Sequence, residues 1–145
     1  MPENESCEFP ESNPVDSTVR EILENSKTVA VVGLSDKPER DSYKVARYLK
    51  DHGYSIIPVN PTKTEILGEK SYPDLASIPA PVDIVDVFRK VDAIPGIVDE
   101  AIRINAKVVW MQLGLAHNES ARKATEAGLT VDQSKCIKVE HQKLI

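Results

Sequence analysis

The sequence lacks several features that would define a class of protein at once. It has no run of eighteen or more apolar residues, so no membrane span is expected. Its two cysteines, Cys7 and Cys136, stand far apart and form no C-x-x-C pair, which favours a reduced cytoplasm. Its N-terminus has neither the basic nor the apolar region of a secretory signal. The net charge of −5 argues against a general nucleic-acid binder.

Motifs for catalysis and metal binding are missing as well. His52, His117 and His141 show no H-x-x-x-H spacing, so no metal site is expected, and the last two are expected on the surface. No G-x-x-x-x-G-K-[ST] phosphate loop occurs. Lys37 occupies the last glycine position of a G-x-S-x-G elbow, which excludes a nucleophile of that type at Ser35. The sequence therefore shows no evident catalytic machinery of its own.

The chain instead contains an alternation of strand-like and helix-like segments over 145 residues, the size of one domain. Residues 1–14 are polar and rich in proline, which predicts a flexible tail before a single domain at residues 15–145. Apolar runs predict five buried strands, separated by segments in which apolar residues recur at helical spacing. The strands are predicted at residues 29–34, 56–59, 84–88, 107–113 and 129–131.

This alternation is typical of a parallel sheet covered by helices on both faces. We predict a Rossmann-like, doubly wound α/β fold with five parallel strands in the order 3-2-1-4-5. In such sheets a ligand binds outside the carboxyl ends of the strands, near the point where the strand order reverses. The segments expected to form a site are residues 33–42, 60–68, 88–93 and 112–117.

The first of these segments begins like a dinucleotide-binding loop and then departs from it. Gly33 is followed by Ser35 and Pro38 where a G-x-G-x-x-G fingerprint has its second and third glycines. The second strand ends on Asn60-Pro61, where an NAD enzyme has an acid for the ribose hydroxyls. Both departures affect one site, so they weaken the interpretation of the chain as a small NAD(P)-dependent oxidoreductase. This interpretation is kept as an alternative.

Cations collect in the same segments of this acidic protein. Lys37 and Arg40 follow the first strand, Lys63 follows the second, and Arg89 follows the third. Ser42 lies where the next helix starts, and the free N–H groups of a helix N-terminus favour a phosphate. The pattern indicates a site for an anionic small molecule, although solvated loop charges would produce the same pattern equally well.

Several short motifs resemble those of a known family. They are V-G-x-S at 32–35, V-N-P at 59–61, I-x-G-x-x-x-Y-x-x-L at 66–75 and W-x-Q-x-G at 110–114. Their combination, within residues 28–141, resembles the small single-domain CoA-binding proteins, which are similar to the CoA-binding N-terminal domain of the succinyl-CoA synthetase α-subunit. The resemblance implies a Rossmann-type fold that holds coenzyme A through its nucleotide end.

Two positions depart from the pattern of that family. Asp41 stands where the family usually has proline, and an acid there is unfavourable beside a phosphate. Lys135 stands before Cys136 where the family has arginine, so the charge is kept and the bidentate fork is lost. Cys136 itself is interpreted as a partner for the CoA thiol in a mixed disulfide, as a redox sensor or as a small buried side chain. Phe88 either stacks on adenine or packs in the core.

Coenzyme A suits these loops better than NAD does. Its 3′-phosphate is bound by cations, whereas the ribose hydroxyls of NAD are bound by an acidic side chain. We expect a cytoplasmic module that binds CoA or an acyl-CoA. An alternative is a CoA-carrying subunit of an acyl-CoA-handling complex, since the phosphohistidine of related synthetases sits on another domain; any partner protein or homo-oligomer is left open. The expected cofactor-binding residues are Gly33, Leu34, Ser35, Lys37, Arg40, Ser42, Asn60, Pro61, Lys63, Phe88, Arg89, Gln112 and Gly114.

Overall fold

Short apolar strands, buried on both faces, form a parallel sheet through the middle of the protein. The structure is a computed structural model that describes residues 8–145. A separate antiparallel hairpin consists of β3 (Glu65–Ile66) and β4 (Glu69–Lys70). The strands of the main sheet, all parallel, are β1 (Thr28–Val32), β2 (Ser55–Val59), β5 (Ile84–Val87), β6 (Val108–Met111) and β7 (Thr130–Asp132).

Helices cover both faces of this sheet: α1 (Asp16–Asn25), α2 (Asp41–Asp51), α3 (Ile94–Arg103), α4 (Asn118–Glu126) and α5 (Ile137–Leu144). On one face, α1, α2 and α5 bury side chains such as Val19, Leu49 and Ile137 against the strands. On the other face, α3 and α4 bury Ile94 and Ala124. None of the helices in residues 8–145 has the length and apolar character needed to cross a membrane.

The predicted doubly wound parallel sheet is confirmed, and its order β2-β1-β5-β6-β7 reverses at β1. Outside β2 lies one parallel bridge between Val59 and Tyr72. If this bridge is counted as the third element in chain order, the order across the sheet reads 3-2-1-4-5-6, which contains the predicted 3-2-1-4-5. The segment 84–88, third along the sequence, pairs with β1 and takes the fourth position. Chain order alone does not decide which edge of β1 a later strand joins.

The N-terminal segment of the described chain lies against α4 and the end of β7. The Asn13 side chain donates to the carbonyl oxygen of Gln133 (2.9 Å) and accepts from its N–H (2.8 Å). Glu11 forms an ion pair with Arg122 at 2.6 Å. These contacts differ from the expectation of a flexible tail over residues 1–14, of which residues 1–7 lie outside the described residues. The domain boundary at residue 15 stays a prediction.

The expected surface position of His141 is wrong. This residue is only 8% exposed, because one side of α5 packs on α2. A hydrogen bond of 2.8 Å joins His141 Nδ1 to the hydroxyl of Tyr48. Burial, together with the nearby His52, lowers the pKa of His141 from its usual value. The contact holds the C-terminal helix beside α2.

Candidate functional site

The chain leaves β1 through a turn that only glycine fits. Gly33 has a φ of +90°, and its N–H donates to the carbonyl oxygen of Val59 (2.9 Å). A Cβ added at Gly33 would collide with the backbone carbonyl of Phe88. The β1–α2 loop therefore lies directly against the chain that follows β5, at the switch point of the sheet.

The same loop ends at a helix terminus with free donors. The N–H of Ser35 donates to Ser42 Oγ (3.0 Å), and Ser35 Oγ accepts from the N–H of Lys37 (3.0 Å). No side chain caps the start of α2. Its first N–H groups are thus available to an anion. They border a cleft of about 360 Å³, the phosphate cleft, which is lined by Gly33, Ser35, Glu39, Arg40, Asp41, Ser42 and Phe88.

A larger cleft lies beside it, between α2 and α5 and above the ends of β5 and β6. Phe88 and Asp41 border both clefts. Leu113 and Val139 stand on its rim with 73% and 51% of their surfaces exposed. We call this space, of about 800 Å³, the α5 cleft; its lining is Asp41, Lys44, Val45, Phe88, Arg89, Lys90, Gln112, Leu113, Leu115, Cys136, Lys138, Val139 and Gln142.

Charge in the α5 cleft is predominantly positive. The lining contains the cations Lys44, Arg89, Lys90 and Lys138, and Asp41 is the only carboxylate among these described lining residues. The protein as a whole carries a net charge of −5. Cations concentrated at one concave site in an acidic protein attract an anionic ligand.

Asn60 joins the loops rather than facing the clefts. Its Nδ2 donates to the carbonyl oxygen of Leu34 (2.9 Å), and its Oδ1 accepts from the N–H and the hydroxyl of Thr62. Lys63 forms an ion pair with Asp36 at 3.0 Å, and this hydrogen bond lowers the pKa of Asp36. These contacts tie the loop after β2 to the loop after β1 and so support the wall of the phosphate cleft.

The structure brings seven of the thirteen expected cofactor-binding residues to the two clefts: Gly33, Ser35, Arg40, Ser42, Phe88, Arg89 and Gln112. Six do not line either cleft: Leu34, Lys37, Asn60, Pro61, Lys63 and Gly114. Leu34 is buried, and Gly114 donates its N–H to Ser134 Oγ (3.1 Å). The role of all thirteen in ligand binding stays a prediction.

Residues of α5 were not expected at the site. Lys138, Val139 and Gln142 line the α5 cleft. The spacing of 138 and 142, one helical turn apart, was the available signal, and it is weak in a short C-terminal segment. The placement of α5 depends on Gln112, whose Oε1 accepts from the N–H of Ile137 (3.2 Å).

Two buried carboxyl groups flank Trp110 on the α5 side of the sheet. Asp86 of β5 and Asp132 of β7 both stand opposite Trp110, and their carboxyl oxygens have no hydrogen-bond partner among the described residues. Burial raises the pKa of Asp86 well above its ordinary value. Burial also raises the pKa of Asp132 to about 6, against the opposing charge of Lys135. The isolated Asp86 in an apolar strand was the sequence signal for this pair.

The chain matches the family described as "CoA binding domain" over residues 27–142. It belongs to the CoA binding domain family. The resemblance that the V-G-x-S, V-N-P and W-x-Q-x-G motifs indicated is confirmed by this match.

Relatives of this CoA binding domain protein include both small chains and parts of large ones. The uncharacterized protein YneT of Bacillus subtilis (strain 168) is 46% identical over 129 residues, which are 89% of this chain and 96% of YneT. A hypothetical protein of known structure from Pyrococcus horikoshii OT3 is 42% identical, with a TM-score of 0.89, over 94% of this chain and 96% of that one.

The third relative is a subunit of an enzyme. The acetate–CoA ligase (ADP-forming) I subunit alpha of Pyrococcus furiosus is 35% identical over 95 residues. The match covers 61% of this chain and 21% of that subunit. The matched part of this CoA binding domain protein therefore corresponds to about a fifth of the ligase subunit.

Proposed function

We propose that this protein binds coenzyme A or an acyl-CoA at the two clefts and has no catalytic machinery of its own. The observation that carries the proposal is the uncapped N-terminus of α2 at the phosphate cleft, directly beside the cation-lined α5 cleft. The family match supports the same ligand class. The two cysteines of the sequence form no C-x-x-C pair, which suits a cytoplasmic protein.

The pyrophosphate of CoA fits the phosphate cleft best. There, the N–H groups at the start of α2 and the hydroxyl groups of Ser35 and Ser42 supply donors. Arg40, on the rim, supplies a cation for the 3′-phosphate or the pyrophosphate. Asp41 opposes these charges and limits the affinity. The pantetheine arm then extends past Phe88 into the α5 cleft.

The loop after β2 supports CoA over NAD. Asn60 occupies the position at which an NAD site holds the ribose hydroxyls with an acid, and its amide is committed to Leu34 and Thr62. A second candidate function is a CoA-carrying subunit, which the resemblance to part of a ligase subunit favours. A size measurement of the native protein in its source extract separates this candidate from a free module.

A thermal-unfolding series with different nucleotides tests the proposal. A ligand that binds only the folded state stabilises it by about 2.7 kcal/mol at one hundred times its Kd, which raises Tm by several degrees. We expect a shift of this size with CoA, a smaller one with dephospho-CoA and little or none with NAD. The shift should shrink as salt rises, because exposed charge pairs are screened.

Two results would contradict parts of the proposal. A larger shift with NAD than with CoA would overturn CoA binding and favour the oxidoreductase. Equal shifts with CoA and dephospho-CoA would leave CoA binding intact but remove the role of the loop cations toward the 3′-phosphate.

A further inference from the structure

Cys136 stands in the wall of the α5 cleft, at the residue before α5 begins. It is a free cysteine and half-buried. The chain on both sides of it is fixed: the carbonyl oxygen of Lys135 accepts from the indole N–H of Trp110 (2.9 Å), and the N–H of Ile137 donates to Gln112 Oε1 (3.2 Å). Its sulfur is therefore held at a defined place in the cleft rather than on a mobile tail.

Gln112 independently indicates a ligand in the same cleft. The side chain is 6% exposed and lines the cleft. Its Oε1 is committed to Ile137, but its Nε2 makes no hydrogen bond to any residue in the described range 8–145. An unpartnered Nε2 that was fully enclosed by protein would belong with the carboxyl oxygens of Asp86 and Asp132, and it does not. Nε2 is therefore accessible and faces the open cleft. A donor at such an opening is free for a ligand that accepts a hydrogen bond.

The lining of the cleft matches the thiol end of a CoA-type ligand. The pantetheine arm has amide carbonyls that accept a hydrogen bond and a branched apolar segment, and the cleft offers the Gln112 amide beside Val45 and Leu115. Lys44 and Lys138 lie on either side and attract an anionic molecule. Phe88 borders both clefts, so an arm that starts at the phosphate cleft and passes Phe88 enters the cleft that Cys136 lines.

We infer that Cys136 exchanges disulfides with the pantetheine thiol of CoA, so that the protein carries CoA as a mixed disulfide under oxidising conditions. The inference rests on the proposed CoA site. The Cys136 thiol loses its proton to solvent, and its sulfur attacks one sulfur of CoA disulfide. The S–S bond of CoA disulfide breaks as the Cys136–CoA bond forms, and the released CoA thiolate takes up a proton. No other oxidant is consumed.

Disulfide exchange suits this lining better than acyl transfer from a thioester. Acyl transfer to cysteine needs a general base and donors for the tetrahedral oxyanion. No histidine is among the described lining residues of the cleft, and His141 is turned to Tyr48. Exchange between a thiolate and a disulfide passes through no tetrahedral oxyanion, so it needs the thiolate form of Cys136, access and alignment of the sulfurs.

The test uses the full chain with Cys7→Ser, which leaves Cys136 as the single cysteine. Equal concentrations of CoA disulfide and glutathione disulfide are added, and adduct formation is followed by intact mass and peptide mapping. We expect CoA disulfide to react at least about tenfold faster, the ratio that about 1.4 kcal/mol of binding energy produces. The preference should vanish in urea, and saturating desulfo-CoA should slow the reaction. Cys136→Ser in the same background should form no adduct.

Thermal shift with desulfo-CoA, which has no thiol, separates the two levels of the proposal. A clear shift together with equal rates for the two disulfides overturns the exchange inference and leaves CoA binding standing. The absence of any shift overturns CoA binding, and the exchange inference with it. A shift with a CoA-selective adduct on Cys136 supports both.

Discussion

Arg40 is the residue that tests the position of the phosphate most directly. It borders the phosphate cleft, is exposed and forms no ion pair within the described residues. Arg40→Ala should weaken CoA binding by about 1–2 kcal/mol, or about 5- to 30-fold, the scale of a charge-assisted hydrogen bond. Isothermal titration at fixed salt measures the change.

Arg47→Ala is the matched control for this residue. Arg47 lies on α2, the helix that Arg40 directly precedes; it is exposed and pairs with Asp51 at 3.6 Å, away from both clefts. It should change the affinity less than about twofold, since surface substitutions usually stay within about 0.5 kcal/mol. If both variants bind CoA equally well, the phosphate does not lie at the start of α2.

Single residues also show where sequence reasoning works best. The sequence predicts a tight turn at Gly33, because a glycine directly after a buried strand is typical of such a turn, and the close approach of Phe88 leaves no room for a side chain. For Phe88 the sequence leaves two roles open. The structure has it half-buried, packed on the core and bordering both clefts. An aromatic side chain at a strand end satisfies both environments, so its type alone does not distinguish them.

Among the elements, β7 is an edge strand of the sheet, and the N-terminal segment covers its exposed side. The Asn13 amide pairs with both main-chain groups of Gln133, as a neighbouring strand would. Asn13→Ala leaves two groups of a nearly buried residue without partners. We expect it to lower the free energy of unfolding by about 1–2 kcal/mol in urea titrations.

Ser12→Ala is the control for this contact. Ser12 is exposed and makes no hydrogen bond within the described residues, so its loss should change the free energy of unfolding by less than about 0.5 kcal/mol. Equal stability of the two variants would support the expectation that residues 1–14 form a flexible tail. That expectation rested on composition, which reports the absence of apolar periodicity and is silent on side-chain pairing with a distant strand.

The free energy of unfolding of the whole molecule depends on pH through its buried carboxyl groups. Asp132 is 1% exposed, and its pKa of about 6 in the folded state exceeds that of an unfolded aspartate, about 3.9. Between these values the folded protein keeps a proton that the unfolded chain has released. The contribution of Asp132 to the free energy of unfolding is therefore fully present below about pH 4. It is lost as pH rises to about 6, by about 3 kcal/mol for about two pKa units.

Asp132→Asn removes this proton-linked loss. The difference in unfolding free energy between the variant and the natural protein should grow in favour of the variant from pH 4 to pH 6, then level off. Urea unfolding at pH 4, 5, 6 and 7 measures it. Asp36 and Asp83, whose pKa values are lowered, contribute the opposite slope but cancel in the difference. Parallel curves for the two proteins would show that Asp132 does not titrate in this window.

The sequence by itself determined the strands, the helices between them and the edge of the sheet at which a ligand is expected. These follow from local apolar periodicity and from the fixed handedness of parallel crossovers, which act whatever the remaining contacts are. It also determined the family, through four short motifs that stand at or near the ends of strands. Gly33, Ser35 and Ser42 come together because they are neighbours along one loop.

Only the tertiary structure decided which distant segments share a site. The neighbour of β1, the packing of α5 on α2 and the pairing of Asn13 with Gln133 join residues up to 120 positions apart. Such pairs depend on how whole faces fit together, and no local pattern encodes the fit. The α5 cleft, with Gln112 from the end of a strand and Cys136 from the start of a helix, exists because that packing leaves a space lined by both.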